Sequence, residues 1–243
     1  MMTADTNQTI SEHDRLLQEN TRLRGDLLTM ASRISHDLRT PLGSILNSGE
    51  LLREVLAEKE PSSAAITDPI FNSVEELQRL IKGISLIAKA SARPPAKTRF
   101  KMSEIVDGVR EELESRILKK PATVRSPQTW PEVGGVPAWI AYIWWNFIVN
   151  ALQHGGPQIN LGWLQEKDGY RFWIADNGPG VPTQFRAKLF QPFESLSQPD
   201  STRGLALSVV QRLVELQGGH CGYELNIDGP RFFFTLPMVN AGA

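Results

Sequence analysis

The string Ser35-His36-Asp37-Leu38-Arg39-Thr40-Pro41-Leu42 puts an imidazole, a carboxylate and a hydroxyl within two turns of a single helix. An imidazole titrates near neutral pH, so much of the ring is neutral and nucleophilic under ordinary conditions. Asp37, beside it, can hold the ring and accept its proton. Thr40 lies one helical turn away on the same face, where its hydroxyl can position a water. Pro41 cannot donate to the carbonyl of Asp37, and its ring crowds that oxygen. The helix is therefore expected to bend or loosen beside His36. A lone His-Asp pair is more often part of a solvated, charged helix face; the full eight-residue string is far more particular.

A second set of polar groups lies in AWIAYIWWNFIVNALQ, Ala138 to Gln153, which is apolar nearly all round and so expected to be a buried helix. Asn146, Asn150 and Gln153 fall at spacings of four and three, on one stripe. An unpaired buried amide costs about 1–3 kcal/mol, so the stripe should meet either an internal network of side chains or a polar ligand. Amide oxygen is a hard ligand that suits magnesium, which keeps waters and takes phosphate oxygens for the rest of its shell. His154 ends the helix, where it either touches phosphate or simply favours the negative end of the helix dipole. Asp176-Asn177-Gly178-Pro179-Gly180 follows a strand-like segment. Its glycines permit a tight turn and close approach to a flat ligand, and its carboxylate can accept from an exocyclic amine, although such a string is often only a turn. Beyond Leu189-Phe190-Gln191-Pro192-Phe193 and a polar loop, Ser201-Thr202-Arg203-Gly204-Leu205-Ala206-Leu207 opens a helix. Its free N–H groups either bind phosphate or are merely capped.

Two textures position these groups. Ser11 to Ala92 reads as helix. Leu16, Leu23 and Met30 recur every seven residues with Asn20, Leu27 and Ile34 interleaved, the repeat of a coiled coil. The first helix should run to Ala57 and give way to EKEPSSAAITD, with Pro61 as breaker and Thr67 or Asp68 capping a second helix. In that helix Ile70, Val74, Leu77, Ile81, Ile84 and Ile87 or Ala88 form one apolar face, so two hairpins are expected to dimerise into a four-helix bundle. The prolines of SARPPAK, Ser91 to Lys97, end it. Further on, a helix is expected over 103–118, a strand over 123–125, and paired strands around Ile159–Leu161–Trp163 and Tyr170–Phe172–Ile174 about a turn at 167–169. A helix over 205–217 and a hairpin over 222–236 close the chain. The class expected is α+β: a helical hairpin followed by a two-layer α/β sandwich.

With 26 basic and 27 acidic residues among 243, the charge balance argues against nucleic acid or an anionic membrane as the main partner. Cys221, the single cysteine, excludes an internal disulfide and a multi-cysteine zinc site and fits a reducing cytoplasm. It reads as a small strand or turn residue, and His13 and His220 as solvated or turn residues. The most apolar run, Ala138 to Leu152, spans about 15 residues, too few to cross a bilayer, and MMTADTNQTISEHD lacks the apolar core of a signal peptide. No membrane contact is expected within the chain; a sensor or anchor would lie outside it.

SHDLRTPL resembles the H box of the histidine kinases. The succession of amide helix, DNGPG, LFQPF and small-residue helix start is similar to the N, G1, F and G2 boxes of their ATP-binding domain, a fold shared with gyrase, mismatch-repair and heat-shock chaperone ATPases. The resemblance covers nearly the whole chain after the first heptads. It implies a signalling coiled-coil segment at 1–30, a dimerisation and phosphotransfer domain at 31–93, a hinge linker at 94–99 and a catalytic ATP-binding domain at 100–239. It further implies ATP and magnesium as cofactors, a homodimer, and a response regulator receiver domain as partner. On the same resemblance His36 is the phosphoacceptor, Asp37 its acid/base partner, and Thr40 assists dephosphorylation of the regulator. Asn150, helped by Asn146, holds magnesium; Asp176 binds the adenine amine; Gly178, Gly180 and Gly204 shape the pocket. Gln153, His154, Phe190, Phe193, Arg203 and Leu205 complete the nucleotide site.

Two features depart from the family pattern. The outer glycines of the G2 box are matched by Thr202 and Ala206, behind a short polar loop, ESLSQPDSTR, and Gln153 stands where a lysine or arginine is common. Arg203 can restore charge near phosphate. ATP binding weaker than is typical of the family is expected, with autokinase activity retained. A phosphotransfer scaffold with a weakened ATP site is the rival class, opposed by intact His36, Asn150 and Asp176. An ATP-driven conformational machine is the other, opposed by the H box.

Overall fold

In the computed structural model the described residues are 3–59, 63, 66–191, 203–226 and 229–238. The chain divides into two compact units, Met1–Pro94 and Pro95–Ala243.

The first unit is a helical hairpin, α1 (Thr3–Lys59) and α2 (Asp68–Ala92). α1 continues as helix through Pro41. Along α1, Ala31, Leu42 and Gly49 are buried and Leu28, Ser35, Leu46 and Arg53 half-buried, at the three- and four-residue steps of one helical stripe. That stripe packs on α2. A second stripe, Leu27, Met30, Ile34, Leu38, Ile45, Leu52 and Val55, stays exposed, as do the heptad residues Leu16 and Leu23. The apolar face expected of α2 splits in the same way. Val74 and Ala88 are buried and Ile81 and Ile87 half-buried, whereas Ile70, Leu77 and Ile84 are exposed at seven-residue steps. One neighbouring helix can cover only one stripe.

The turn is held by a side chain from α1 rather than by the cap expected at Thr67 or Asp68. Thr67 occupies the N-cap position but makes no side-chain cap bond. Its Oγ1 accepts from Arg53 Nε at 3.0 Å, and Arg53 Nη2 donates to Asp68 Oδ1 at 2.5 Å. The guanidinium also lies 4.1 Å from the Phe71 ring centroid.

The second unit is a sheet covered on one face by helices. β1 (Thr98–Lys101) and β3 (Glu132–Gly135) form an antiparallel pair, so Thr98 and Arg99, expected in the linker, are strand residues opposite Gly135 and Gly134. The main sheet runs β2-β4-β5-β7-β6, from β2 (Thr123–Arg125), β4 (Gln158–Glu166), β5 (Gly169–Asp176), β6 (Cys221–Asn226) and β7 (Gly229–Pro237). Only the β2–β4 pair is parallel. The helix expected over 103–118 is two, α3 (Met102–Glu112) and α4 (Glu114–Lys119), separated at the fully buried Leu113. α5 (Pro137–His154) begins with a proline, whose missing N–H costs nothing at a helix start. It packs between α3 and α7 (Arg203–Glu215) and against β5. A short α6 (Thr183–Arg186) follows β5.

Trp144, Phe147, Phe172 and Phe234 are buried in the core between α5 and the sheet. Trp144 meets Phe234 edge-on at 5.5 Å, and its indole N–H donates to Met102 Sδ at 3.2 Å. This packing fixes the rotation of α5, and with it the direction in which the amide stripe points.

Candidate functional site

His36 lies on α1 with 81% of its side chain exposed, and its Nδ1 is 3.1 Å from Asp37 Oδ1. An ionised carboxylate can only accept, so this contact suits the tautomer with its proton on Nδ1, which leaves the Nε2 lone pair free. Thr40 is exposed one turn on. Ser35, just before His36, donates to the Ala31 carbonyl at 2.6 Å and lies 2.5 Å from Ser85 of α2, so it is Ser85 that donates between the two hydroxyls. That bond ties the two helices together at the level of the imidazole. A groove of about 700 Å³ adjoins it, lined by His36, Arg39, Ser85, Lys82 and Lys89 among others. Burial, and next the charge of Arg79, hold the Lys82 ammonium below its usual pKa.

The second unit contains a cavity of about 290 Å³ between the C-terminal half of α5, the loop after β5, α7 and the inner face of β6 and β7. Its lining includes four of the residues singled out from sequence: Asn150, His154, Asp176 and Gly180. Asp176, at the end of β5, is 9% exposed. Its Oδ1 accepts from Gly178 N–H at 2.8 Å and Gly156 N–H at 3.2 Å, so the carboxylate orders two loops at once. The other oxygen has no hydrogen bond to any described residue. Asn177 serves the fold: its Oδ1 accepts from Gln158 N–H at 2.8 Å, and Gly156 lies so close that a Cβ there would strike it. Gly180 has φ +67°, and a Cβ on it would meet the Tyr223 hydroxyl at 2.6 Å. Only glycine satisfies both demands.

Other expected site residues are placed differently. Asn146 is buried, donates from Nδ2 to the Tyr142 carbonyl at 2.7 Å and does not line the cavity. Gln153 also lies off the cavity wall, as do Gly178, Leu205 and Phe190. The Phe190 ring lies 6.4 Å from that of Phe232, which does line the cavity. Phe193 lies outside the described residues, and of Arg203 and Gly204 only the backbone is described, in the first turn of α7. Cavity residues that the sequence reading passed over are Tyr223, Phe185, Pro230 and Phe232, and Leu207, quoted only as the end of the small-residue string, lines it as well. Strand alternation assigns Tyr223 and Phe232 to one face, but only the order β5-β7-β6 brings that face beside Asp176.

No cluster of three or more His, Cys, Asp or Glu side chains able to hold a metal occurs among the described residues. A cation beside Asn150 would draw on an amide oxygen, with phosphate and water completing its shell, a donor set that suits magnesium.

A mostly apolar cavity with one carboxylate in its wall, sharing a chain with an exposed imidazole, is the pairing the H box and N box imply. The His Kinase A phospho-acceptor domain model matches residues 26–93. The model of histidine kinase-, DNA gyrase B- and HSP90-like ATPases matches residues 135–240. The chain belongs to the histidine kinases. Among relatives of this histidine kinase, the phytochrome-like protein Cph1 of Synechocystis is 28% identical over 232 residues, covering 90% of this chain and 30% of that protein. The sensor histidine kinase CpxA of Escherichia coli is 27% identical over 246 residues, covering 97% and 50%. The chain thus spans half or less of the length of these relatives. Full-length ShkA in complex with AMPPNP aligns with a TM-score of 0.61 at 24% identity, over 88% of this chain and 46% of that one. The catalytic domain of ThkA aligns with a TM-score of 0.52 at 22% identity, over 59% of this chain and 97% of that one. These structural likenesses speak for the fold. No helix among the described residues is long and apolar enough to cross a membrane.

Proposed function

We propose that this chain is the kinase core of a sensor protein, moving the γ-phosphoryl group of ATP to His36 and from there to an aspartate of a response regulator receiver domain. The observation that carries this is the state of His36: open to a partner, with Asp37 holding Nδ1. Nε2 attacks the γ-phosphorus, the bond to the β,γ-bridging oxygen breaks, and ADP leaves. The ring proton remains on Nδ1, where Asp37 offsets the positive charge. In the second step an aspartate oxygen attacks the phosphorus, the N–P bond breaks, and the neutral ring returns. Thr40 then orients water toward the aspartyl phosphate, giving regulator phosphatase activity.

In this reading residues 1–30 transmit the signal, 31–93 dimerise and carry the phosphoryl group, 94–97 act as hinge, and the segment from β1 to 239 holds the nucleotide in the cytoplasm. Asn150, with Asn146 behind it, holds magnesium, and Asp176 accepts from the adenine amine. His154, Phe193, Arg203 and Gly204 complete the phosphate side of the site, with Gln153, Phe190 and Leu205 outside the cavity wall. The exposed stripe from Leu27 to Val55, with Ile70, Leu77 and Ile84, supports a homodimer, because a second copy would cover it. The groove beside His36, with Arg39, Lys82 and Lys89 on its wall, suits an acidic receiver surface. Incubation with γ-labelled ATP and magnesium should give acid-labile label that is absent from His36→Gln and passes to a cognate receiver domain. A folded chain that binds ATP yet takes no label would overturn the kinase reading.

A further inference from the structure

We propose that Tyr223 is a base-reading residue: its phenol donates a hydrogen bond to a ring nitrogen flanking the 6-amino group of the bound adenine, N1 or N7. The inference rests on the nucleotide assignment above and adds a second polar determinant to it. Tyr223 stands on the inner face of β6, two strands away from β5, and its ring reaches across Phe232, packed edge-on at 5.1 Å. The hydroxyl arrives at the loop after Asp176, where it accepts from Val181 N–H at 2.9 Å. A phenol that accepts one hydrogen bond keeps its own proton to donate. No described residue accepts that proton, while Tyr223 lines the same cavity as Asp176. Around them the wall is Pro182, Phe185, Leu189 and Leu207, which offer no side-chain acceptor.

Apart from Asn150 and His154 on the α5 side, the cavity offers a carboxylate acceptor, Asp176, and a hydroxyl proton that no described residue accepts, Tyr223, and that pair has a definite complement. Adenine presents an amine donor flanked by two ring nitrogens that only accept. Guanine presents a carbonyl at the amine position and an N–H at N1, so it meets the carboxylate with an oxygen. The hydroxyl has a purely structural alternative, bracing the loop through Val181, and the two roles respond differently to the ligand. Bracing affects every nucleotide equally; base reading affects only ligands that carry the accepting nitrogen.

The test is calorimetric binding of ADP, 1-deaza-ADP and 7-deaza-ADP to the full chain and to Tyr223→Phe, with thermal melts confirming that both fold. Tyr223→Phe should weaken ADP binding about 3- to 10-fold, the worth of one neutral hydrogen bond. One of the two deaza analogues should bind the parent chain correspondingly more weakly and be indifferent to the substitution. Equal loss for all three ligands, or no loss for any, would refute base reading while leaving the kinase assignment intact. Failure of the folded parent chain to bind ADP would sink that assignment, and this inference with it.

Discussion

Replacing Asp176 by asparagine separates its structural duty from its proposed ligand duty. Oδ1 already accepts two backbone N–H groups, from Gly178 and Gly156. An asparagine in that place must turn its oxygen toward them, because its NH₂ would oppose donor to donor. The loops therefore stay closed, and the NH₂ takes the position of the second carboxylate oxygen, facing the cavity. There it meets the adenine amine as donor against donor. The loss is one charge-assisted hydrogen bond, about 1.5–3 kcal/mol, or roughly 10- to 150-fold in affinity at about 1.4 kcal/mol per decade. Titration calorimetry with ATP measures it, and a thermal melt shows that the fold survives. Inosine triphosphate, with a carbonyl in place of the amine, should lose less and narrow its gap to ATP. An Asp176→Asn protein that binds ATP within threefold of the parent would show that this carboxylate does not read the base.

Further outcomes follow from single contacts. Gln217, 1% exposed, accepts from Val136 N–H through Oε1 at 2.9 Å; Gln217→Leu strands that buried donor at about 1–3 kcal/mol and should lower the melting temperature by several degrees. Ile45, 45% exposed in the single chain, sits in the middle of the open stripe of α1; Ile45→Asp should convert dimer to monomer in light scattering with helix content retained, and an unchanged mass would remove this stripe from the interface. Burial, and next the Glu215 carboxylate, push the Cys221 thiol up to about 12 from its ordinary 9.0. Between those values the unfolded chain releases a proton that the folded chain keeps, so stability declines as pH rises through that window. The decline should be shallower in Cys221→Ala, and native Cys221 should resist alkylation near pH 8 until the chain is unfolded.

Much was legible because the informative signals are local. The H box fixes His36, Asp37 and Thr40 by spacing on one helix, and the strand-plus-turn pattern fixes Asp176 at the base of a loop. The long helices and the strands of the second unit follow from apolar periods of 3.6 and 2. Reading failed where a residue's role depends on a distant partner. Asn146 and Asn150 share a stripe four residues apart, yet one donates to the Tyr142 carbonyl and the other reaches the cavity, according to how Trp144 and Phe147 seat α5 on the sheet. The helix over 103–118 breaks at Leu113, a fully buried residue with good helix propensity, so no local signal marks the break. Thr98 and Arg99 became strand residues for want of any local cue that Gly134 and Gly135 would lie opposite.

By itself, then, the sequence determined which chemically capable groups exist, an imidazole, a stripe of amides and a carboxylate, and on what kind of element each sits, since these are matters of residue type and short spacing. Tertiary structure alone decided which of them share a cavity and what else enters it. Tyr223 shares a cavity with Asp176 only because β7 pairs between β5 and β6, a juxtaposition of residues 47 apart in the chain, set by sheet order and core packing and carried by no local pattern.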